Sequence, residues 1–228
     1  MLLAQTDLLF NDPFAFFVLI TCVSLSLLIG ITFHEASHAF FAKKLGDPTS
    51  EMLGRITLNP KSHLDPFGTL MLLFVGFGWG KPVPVNPYNL AYGRQGLAIV
   101  SLAGPAANIS IALALAFLFQ IGLLEAGDFS RTELKTLNLS AWVNIVATYS
   151  VLLNLILAVF NLLPLGPLDG AGILSGIVPK HWLHYVNSLE RIGLFLLIFI
   201  IGCSIFTSFD PLAYIFQPVL QFGAFIIG

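Results

Sequence analysis

Four apolar stretches set the limits on what this chain can fold into. Pro13 to Phe33, Leu97 to Leu124, Trp142 to Leu163 and Ile192 to Phe209 each have the length to cross a hydrocarbon core, which takes about 20 residues, the last only just. Composition agrees: 57% of residues are hydrophobic, 10% are charged and the mean hydropathy is +0.88. Globular domains carry about 25% charged residues, so this chain reads as an integral membrane protein. A net charge of −2 with no basic patch leaves nothing to bind nucleic acid, and no low-complexity run or charge block suggests a disordered tail. Cys22 and Cys203 each lie in an apolar segment without metal-type spacing and read as small packing residues.

The first stretch is too long and too lightly basic at its start for a cleaved signal peptide, and as a helix it can run on to Leu45, where Gly46-Asp47-Pro48 stops it. Pro66 to Gly80 is apolar but short, is interrupted by Gly68, Gly76 and Gly78, and reads as re-entrant. It leads into Lys81-Pro-Val-Pro-Val-Asn-Pro87, where each residue before a proline is pushed out of the helical region, so the segment is predicted to be extended. Asp210-Pro211 reads as a helix start for a further short helix to Gly228. The expectation is an all-α polytopic membrane protein: a bundle of about 4–6 transmembrane helices with one re-entrant segment and a short extended edge. Residues 1–228 read as a single integral-membrane domain, its core about 14–174 and its accessory C-terminal helices about 188–228.

Ionisable side chains do not belong in an apolar run, and His34-Glu35-Ala36-Ser37-His38 places three at the end of the first one. Four residues apart on a helix, His34 and His38 project from one face and can hold one Zn²⁺ through imidazole nitrogen, with Glu35 beside them as general base. A second interruption is Asn161-Leu-Leu-Pro164-Leu-Gly-Pro167-Leu-Asp169-Gly170. Its prolines remove backbone donors, which breaks a helix at membrane depth, and such breaks are tolerated where protein or a water-filled cavity surrounds them. Asp169 there supplies the oxygen ligand that a catalytic zinc needs beside two histidines; taken alone, Asp169-Gly170 would read as a turn.

Together with Ser101-Leu-Ala-Gly-Pro-Ala-Ala-Asn108 and Gly78-Trp-Gly-Lys-Pro-Val-Pro-Val-Asn-Pro87, these motifs resemble the site-2 protease family of intramembrane zinc metalloproteases, over residues from about 30 to 174. The resemblance implies one Zn²⁺ per chain on His34, His38 and Asp169, with Glu35 as catalytic acid/base. It implies Asn161 as a polar group steadying the substrate or the oxyanion, and a core of three membrane helices. The likeness is to the compact bacterial group, without the PDZ region or nucleotide-sensing domain of larger members.

If both halves of the site share one metal, their two apolar runs must cross in the same direction, with one crossing between them. Only Leu97 to Leu124 has full length for that, so Pro66 to Gly80 must enter and return on one side. The catalytic side then collects Lys43, Lys44, Arg55, Lys61, Lys81, Arg94, Lys180 and Arg191, leaving Arg131 and Lys135 with Glu125, Asp128 and Glu133 opposite. By the positive-inside rule the site faces the cytoplasmic side of an inner (plasma) membrane. The expected substrate is a transmembrane protein or peptide held in the lipid bilayer, with Lys81 to Asn86 offering a free edge to an unwound segment.

Asn108, Asn154 and Asn161 are candidates for lining a water route, against helix–helix hydrogen bonding as the plainer role. His63 and Asp65 read as structural, and His181 and His184 beside Trp182 and Tyr185 as interfacial. Two rivals are a membrane metal transporter, which calls for ligands along a path and commonly a repeat, and a non-catalytic scaffold, which has no use for Glu35.

Overall fold

Asp12 opens the helix that carries the histidines: its Oδ1 accepts from the Ala15 N–H at 3.1 Å, and Pro13 fills the first helical position, where an N–H is not needed. The computed structural model describes residues 6–75, 80–127, 138–207 and 209–228. After a short α1 (Thr6–Asn11), α2 runs Pro13–Lys44. Its 32 residues span about 48 Å, more than the roughly 30 Å of a hydrocarbon core, so one end must project beyond it. That helix stops as its sequence predicts. Gly46 takes φ 102°, its N–H donates to Lys43 C=O at 3.0 Å, and the Asp47 N–H donates to Ala42 C=O at 2.9 Å, which closes the last turn as a Schellman motif.

Asp47 also ties the end of α2 to Thr49 and to the segment around Asn86 and Asn89. Its fully buried carboxylate accepts from the Thr49 N–H and hydroxyl at 3.2 and 2.5 Å, from the Asn89 amide at 3.1 Å and from the Asn86 N–H at 2.7 Å. Burial pushes this carboxyl up, but the hydrogen bonds from Thr49, Asn86 and Asn89 outweigh it and hold the group below the usual carboxylate range. Beyond it come α3 (Thr49–Met52), a 3₁₀ turn over Pro60–Ser62 and α4 (Pro66–Val75). The rest of the expected re-entrant stretch, residues 76–79 with Gly76 and Gly78, lies outside the described residues, as do Asp128, Arg131, Glu133 and Lys135.

Residues 81–86 are extended, as the prolines require, but they do not form a strand. The Lys81 N–H donates to His63 C=O at 2.7 Å beside an isolated antiparallel bridge between Leu64 and Gly80. The Lys81 carbonyl accepts from Arg55 and the Pro84 carbonyl from the Ser50 hydroxyl. Occupied carbonyls three residues apart fit the three-fold period of a polyproline helix rather than the two-fold period of a strand. The backbone groups of Val83 and Val85 make no hydrogen bond among the described residues.

Helices α5 (Arg94–Gln120) and α6 (Leu139–Asn161) complete a three-helix core with α2, and α7 (Asp169–Ile177) packs against α5. Small buried residues set the spacing: Ala39 and Ala42 on α2, Ala112 and Ala116 on α5, Ala147 and Ala158 on α6. One cluster joins Ala112, Phe119, Ala147, Val151 and Leu155 to Ile227, another joins Ala15, Val18 and Cys22 to Ile145. Large apolar side chains such as Phe14, Phe17, Leu113 and Phe117 face outward, as they do where the solvent is lipid.

A 3₁₀ turn (Lys180–Trp182) leads into α8 (Leu183–Phe206), and α9 (Pro211–Ile227) follows, capped by Asp210 Oδ1 on the Ala213 N–H at 3.0 Å. Helices α2, α5 and α6 and the span Lys180–Ser204, which takes in most of α8, are long and apolar enough to cross a membrane. Helix α8 starts nine residues before the expected Ile192, because its first turns carry His184, Asn187, Ser188, Glu190 and Arg191 and are helical without being apolar. His63 donates through Nε2 to Thr57 C=O at 2.7 Å, and Asp65 Oδ1 accepts from the Gly68 N–H at 2.7 Å, both structural roles.

Candidate active site

The C-terminal half of α2, the N-terminal half of α5 and the first residue of α7 meet at one point. His34 Nε2 lies 3.0 Å from Asp169 Oδ2 and His38 Nε2 lies 3.3 Å from Asp169 Oδ1, the histidines being about 7% exposed. The two imidazoles stand edge to face, centroids 4.6 Å apart at 82°. One ligand atom from each of the three residues falls within 4.8 Å of the other two. Helix α6 ends at Asn161 and the chain restarts as helix at Asp169, so the break between them is what swings Asp169 back onto the histidines.

Hydrogen bonds on the far side of each ring decide what faces Asp169. His34 Nδ1 lies 2.6 Å from Asn108 Oδ1 and His38 Nδ1 lies 2.7 Å from the Val100 C=O. Both partners can only accept, so each ring carries a hydrogen on Nδ1 and turns Nε2, the nitrogen that can ligate a metal, toward the carboxylate. Asp169 Oδ2 is buried and, among the described residues, faces no possible donor other than His34 Nε2. Two ligands of a tetrahedral zinc sit about 3.3 Å apart, close to the 3.0 and 3.3 Å between each Nε2 and the carboxylate, so the donor set fits such a metal.

Helix α5 can pass this close because of Gly104. A Cβ there would lie 2.4 Å from His38 Nε2 and 2.6 Å from His34 Nε2. Pro105 follows it inside the helix and removes the hydrogen bond to the Ser101 carbonyl, one turn back. Neither role is visible in the sequence, although both residues lie in the Ser101–Asn108 stretch that carries part of the resemblance.

The three residues open onto a cleft of about 650 Å³ that also takes in Glu35, Asn161, Ser101 and the edge residues Val83 and Val85. Its remaining walls are mostly apolar, including Ile31, Leu97, Leu157 and Phe160 from the core and Leu194 and Leu197 from α8. Glu35 stands over Gly80, where a Cβ would come within 3.3 Å of its Oε1. Asn161 reaches the cleft, but one amide hydrogen is used on its own helix, Nδ2 donating to Leu157 C=O at 2.9 Å. Asn108 and Asn154 do not line the cleft; both are fully buried in helix–helix hydrogen bonds, the plainer of the two roles weighed for them.

Comparison with known proteins bears on the whole arrangement. The sequence profile of peptidase family M50 matches residues 22–200. The chain belongs to peptidase family M50, the site-2 protease family. The span that matches the M50 profile contains every residue of the cleft and stops short of α9. A relative from Bacillus subtilis, which bears the provisional name zinc metalloprotease YwhC, is 38% identical over 200 residues, 87% of this chain and 85% of that protein. The protein of Mycobacterium tuberculosis provisionally named zinc metalloprotease Rip2 is 30% identical over 170 residues, 72% of this chain and 60% of that protein. No solved structure matches this M50 chain significantly.

Proposed function

We propose that this M50 peptidase is an intramembrane zinc metalloprotease that hydrolyses peptide bonds within or next to transmembrane segments of membrane-protein substrates. The observation that carries the reading is the meeting of His34, His38 and Asp169 in one cleft with Glu35, on helices made to lie in lipid. His34 and His38 through Nε2 and Asp169 through its carboxylate would hold one zinc ion per chain. That ion supplies Lewis acidity, lowering the pKa of a bound water to about 7 and polarising the scissile carbonyl. Glu35 takes the proton of the attacking water on its carboxylate and returns it to the leaving amine. Asn161, with one amide hydrogen still free, donates to the oxygen that gains charge in the transition state. The mostly apolar walls keep bulk water from the reacting centre.

A helical substrate hides its carbonyls in its own hydrogen bonds and must be unwound, and in lipid the freed groups need partners. The unpaired backbone groups of Val83 and Val85, on the cleft wall, are suited to that. Lys43, Lys44, Arg55, Lys61, Lys81 and Arg94 put positive charge on the catalytic side, which supports a cytoplasmic orientation in the inner membrane.

The test is a division of labour. Glu35→Gln should keep zinc near one per chain and abolish cleavage of a transmembrane peptide, whereas His38→Ala and Asp169→Ala should lose both. A Gln variant that cleaves at the wild-type rate would falsify the mechanism. For the re-entrant course, cysteines at Lys61 and Arg94 should react with an impermeant reagent from the same side; labelling from opposite sides means that the stretch between them crosses.

A further inference from the structure

The buried polar side chains of the core are strung together and end on a metal-facing histidine. Asn108 on α5 uses both hydrogens of its amide: Nδ2 donates to Gly30 C=O at 3.1 Å and to Asn154 Oδ1 at 2.7 Å. A backbone carbonyl cannot donate, so the atom facing Gly30 must be the NH₂ group, and the amide has one orientation. Oδ1 is thereby turned to His34 Nδ1. Asn154 on α6 is held in its turn, its Nδ2 donating to Ser150 C=O at 2.8 Å, and Ser150 Oγ donates to Ser26 Oγ at 3.1 Å. All of these side chains are buried, Asn108 and Asn154 completely. Gly30 lets the helices come this close, since a Cβ there would lie 3.1 Å from Asn154 Oδ1 and 2.9 Å from Leu157 Cδ1.

The two histidines are therefore supported unequally. His38 donates to the Val100 backbone carbonyl, which has no alternative orientation. His34 depends on a side chain whose orientation rests on its own two hydrogen bonds, to the Gly30 carbonyl and to Asn154. An Asn108 amide rotated by half a turn would present NH₂ to His34 Nδ1 and favour the tautomer with its hydrogen on Nε2, which cannot ligate a metal. We infer that Asn154, which does not touch His34, is a positioning residue that, together with the Gly30 carbonyl, selects the metal-binding tautomer of His34 by holding the Asn108 amide. This rests on the proposed metal role of His34 only for its effect on zinc; the hydrogen on Nδ1 is set by Asn108 with or without an ion.

Two measurements on the purified full-length chain test it. In ¹⁵N-histidine spectra of metal-free protein, which contains five histidines, the His34 resonances are identified by their loss in His34→Ala. Wild type should show hydrogen on Nδ1, whereas Asn108→Leu and Asn154→Leu should populate the Nε2–H form. In zinc competition with a chelator, Asn154→Leu should bind about 10–100-fold more weakly, and Asn108→Leu/Asn154→Leu should be no weaker than Asn108→Leu alone, because the second residue acts through the first. If Asn154→Leu does not fold, Asn154→Ala, which leaves space instead of filling it, carries the same expectation. An unchanged His34 tautomer in the Asn154 variants overturns the inference whatever the affinity does, as do zinc losses that add in the double variant. A wild-type chain that binds no zinc would instead sink the metal reading, with the tautomer still decided by the spectra.

Discussion

The three-helix core and the C-terminal helices are built from similar residues and are held differently. Helices α2, α5 and α6 bury 44, 39 and 44% of their most apolar stretches, against 17% for the span that contains most of α8. Leu194 and Leu197 of α8 touch the cleft, but Phe195, Ile198 and Phe199 between and beyond them are 73, 59 and 69% exposed. Hydrophobicity cannot account for the contrast, because lipid tails solvate an apolar side chain as well as another helix does. What the core has and α8 lacks among the described residues is a run of buried hydrogen bonds from Ser26 to Asn108, and where small residues bring several turns of the core helices together, α8 makes one such approach, Gly193 against the Gly166 backbone. Fixed geometry in this molecule comes from polar and small residues, and apolar surface supplies only the placement in a bilayer.

That contrast can be broken at three points. Asn161 sits at the end of α6, and losing one donor to a developing oxyanion typically costs about 10²–10³ in kcat. Asn161→Ala should slow cleavage by that much with zinc content unchanged; an unaltered kcat would reduce Asn161 to helix packing. A middling effect is expected at Asp47, whose lowered pKa stabilises the fold at pH values above the ordinary carboxylate value and is lost as pH falls through the still lower folded value. Asp47→Asn should cost about 1–3 kcal/mol near neutral pH, and the gap between the two thermal unfolding curves should close on acidification. A gap constant with pH would mean that the charge of Asp47 is not what ties α2 to the extended segment. The smallest effect belongs to Phe195→Ala and Phe199→Ala, each within about 0.5 kcal/mol and without change in zinc content or cleavage. A large loss at either would show α8 to be as firmly packed as the core.

Much of this is legible in the sequence, for identifiable reasons. Helix α2 can be read to its last residue because apolar length, the Gly46 stop and the preceding lysines all agree. His34, His38 and Asp169 can be grouped because ionisable residues in apolar runs are too costly to be incidental. The N-terminal turns of α8 are harder to read because apolarity is what marks a membrane helix, and turns that carry His184, Glu190 and Arg191 do not announce themselves that way. Gly104 escapes for another reason: its significance is the distance to a ring on a different helix, and spacing along one helix does not encode that. Asn108 and Asn154 carry two possible roles in sequence, and only the geometry of their amides separates a water route from a hydrogen-bonded link.

Helix α2 also works as a ruler. At about 1.5 Å per residue, His38 and His34 lie roughly 9 and 15 Å back along the axis from Lys44. A substrate that stayed helical would have to offer a bond two to three turns below the level of that lysine. Drawn out at about 3.3 Å per residue, the same depth is covered by roughly three to five residues. For a protease of the kind proposed, the register of cutting would be counted back from the level of Lys44, in a unit of length set by whether the substrate segment has been unwound.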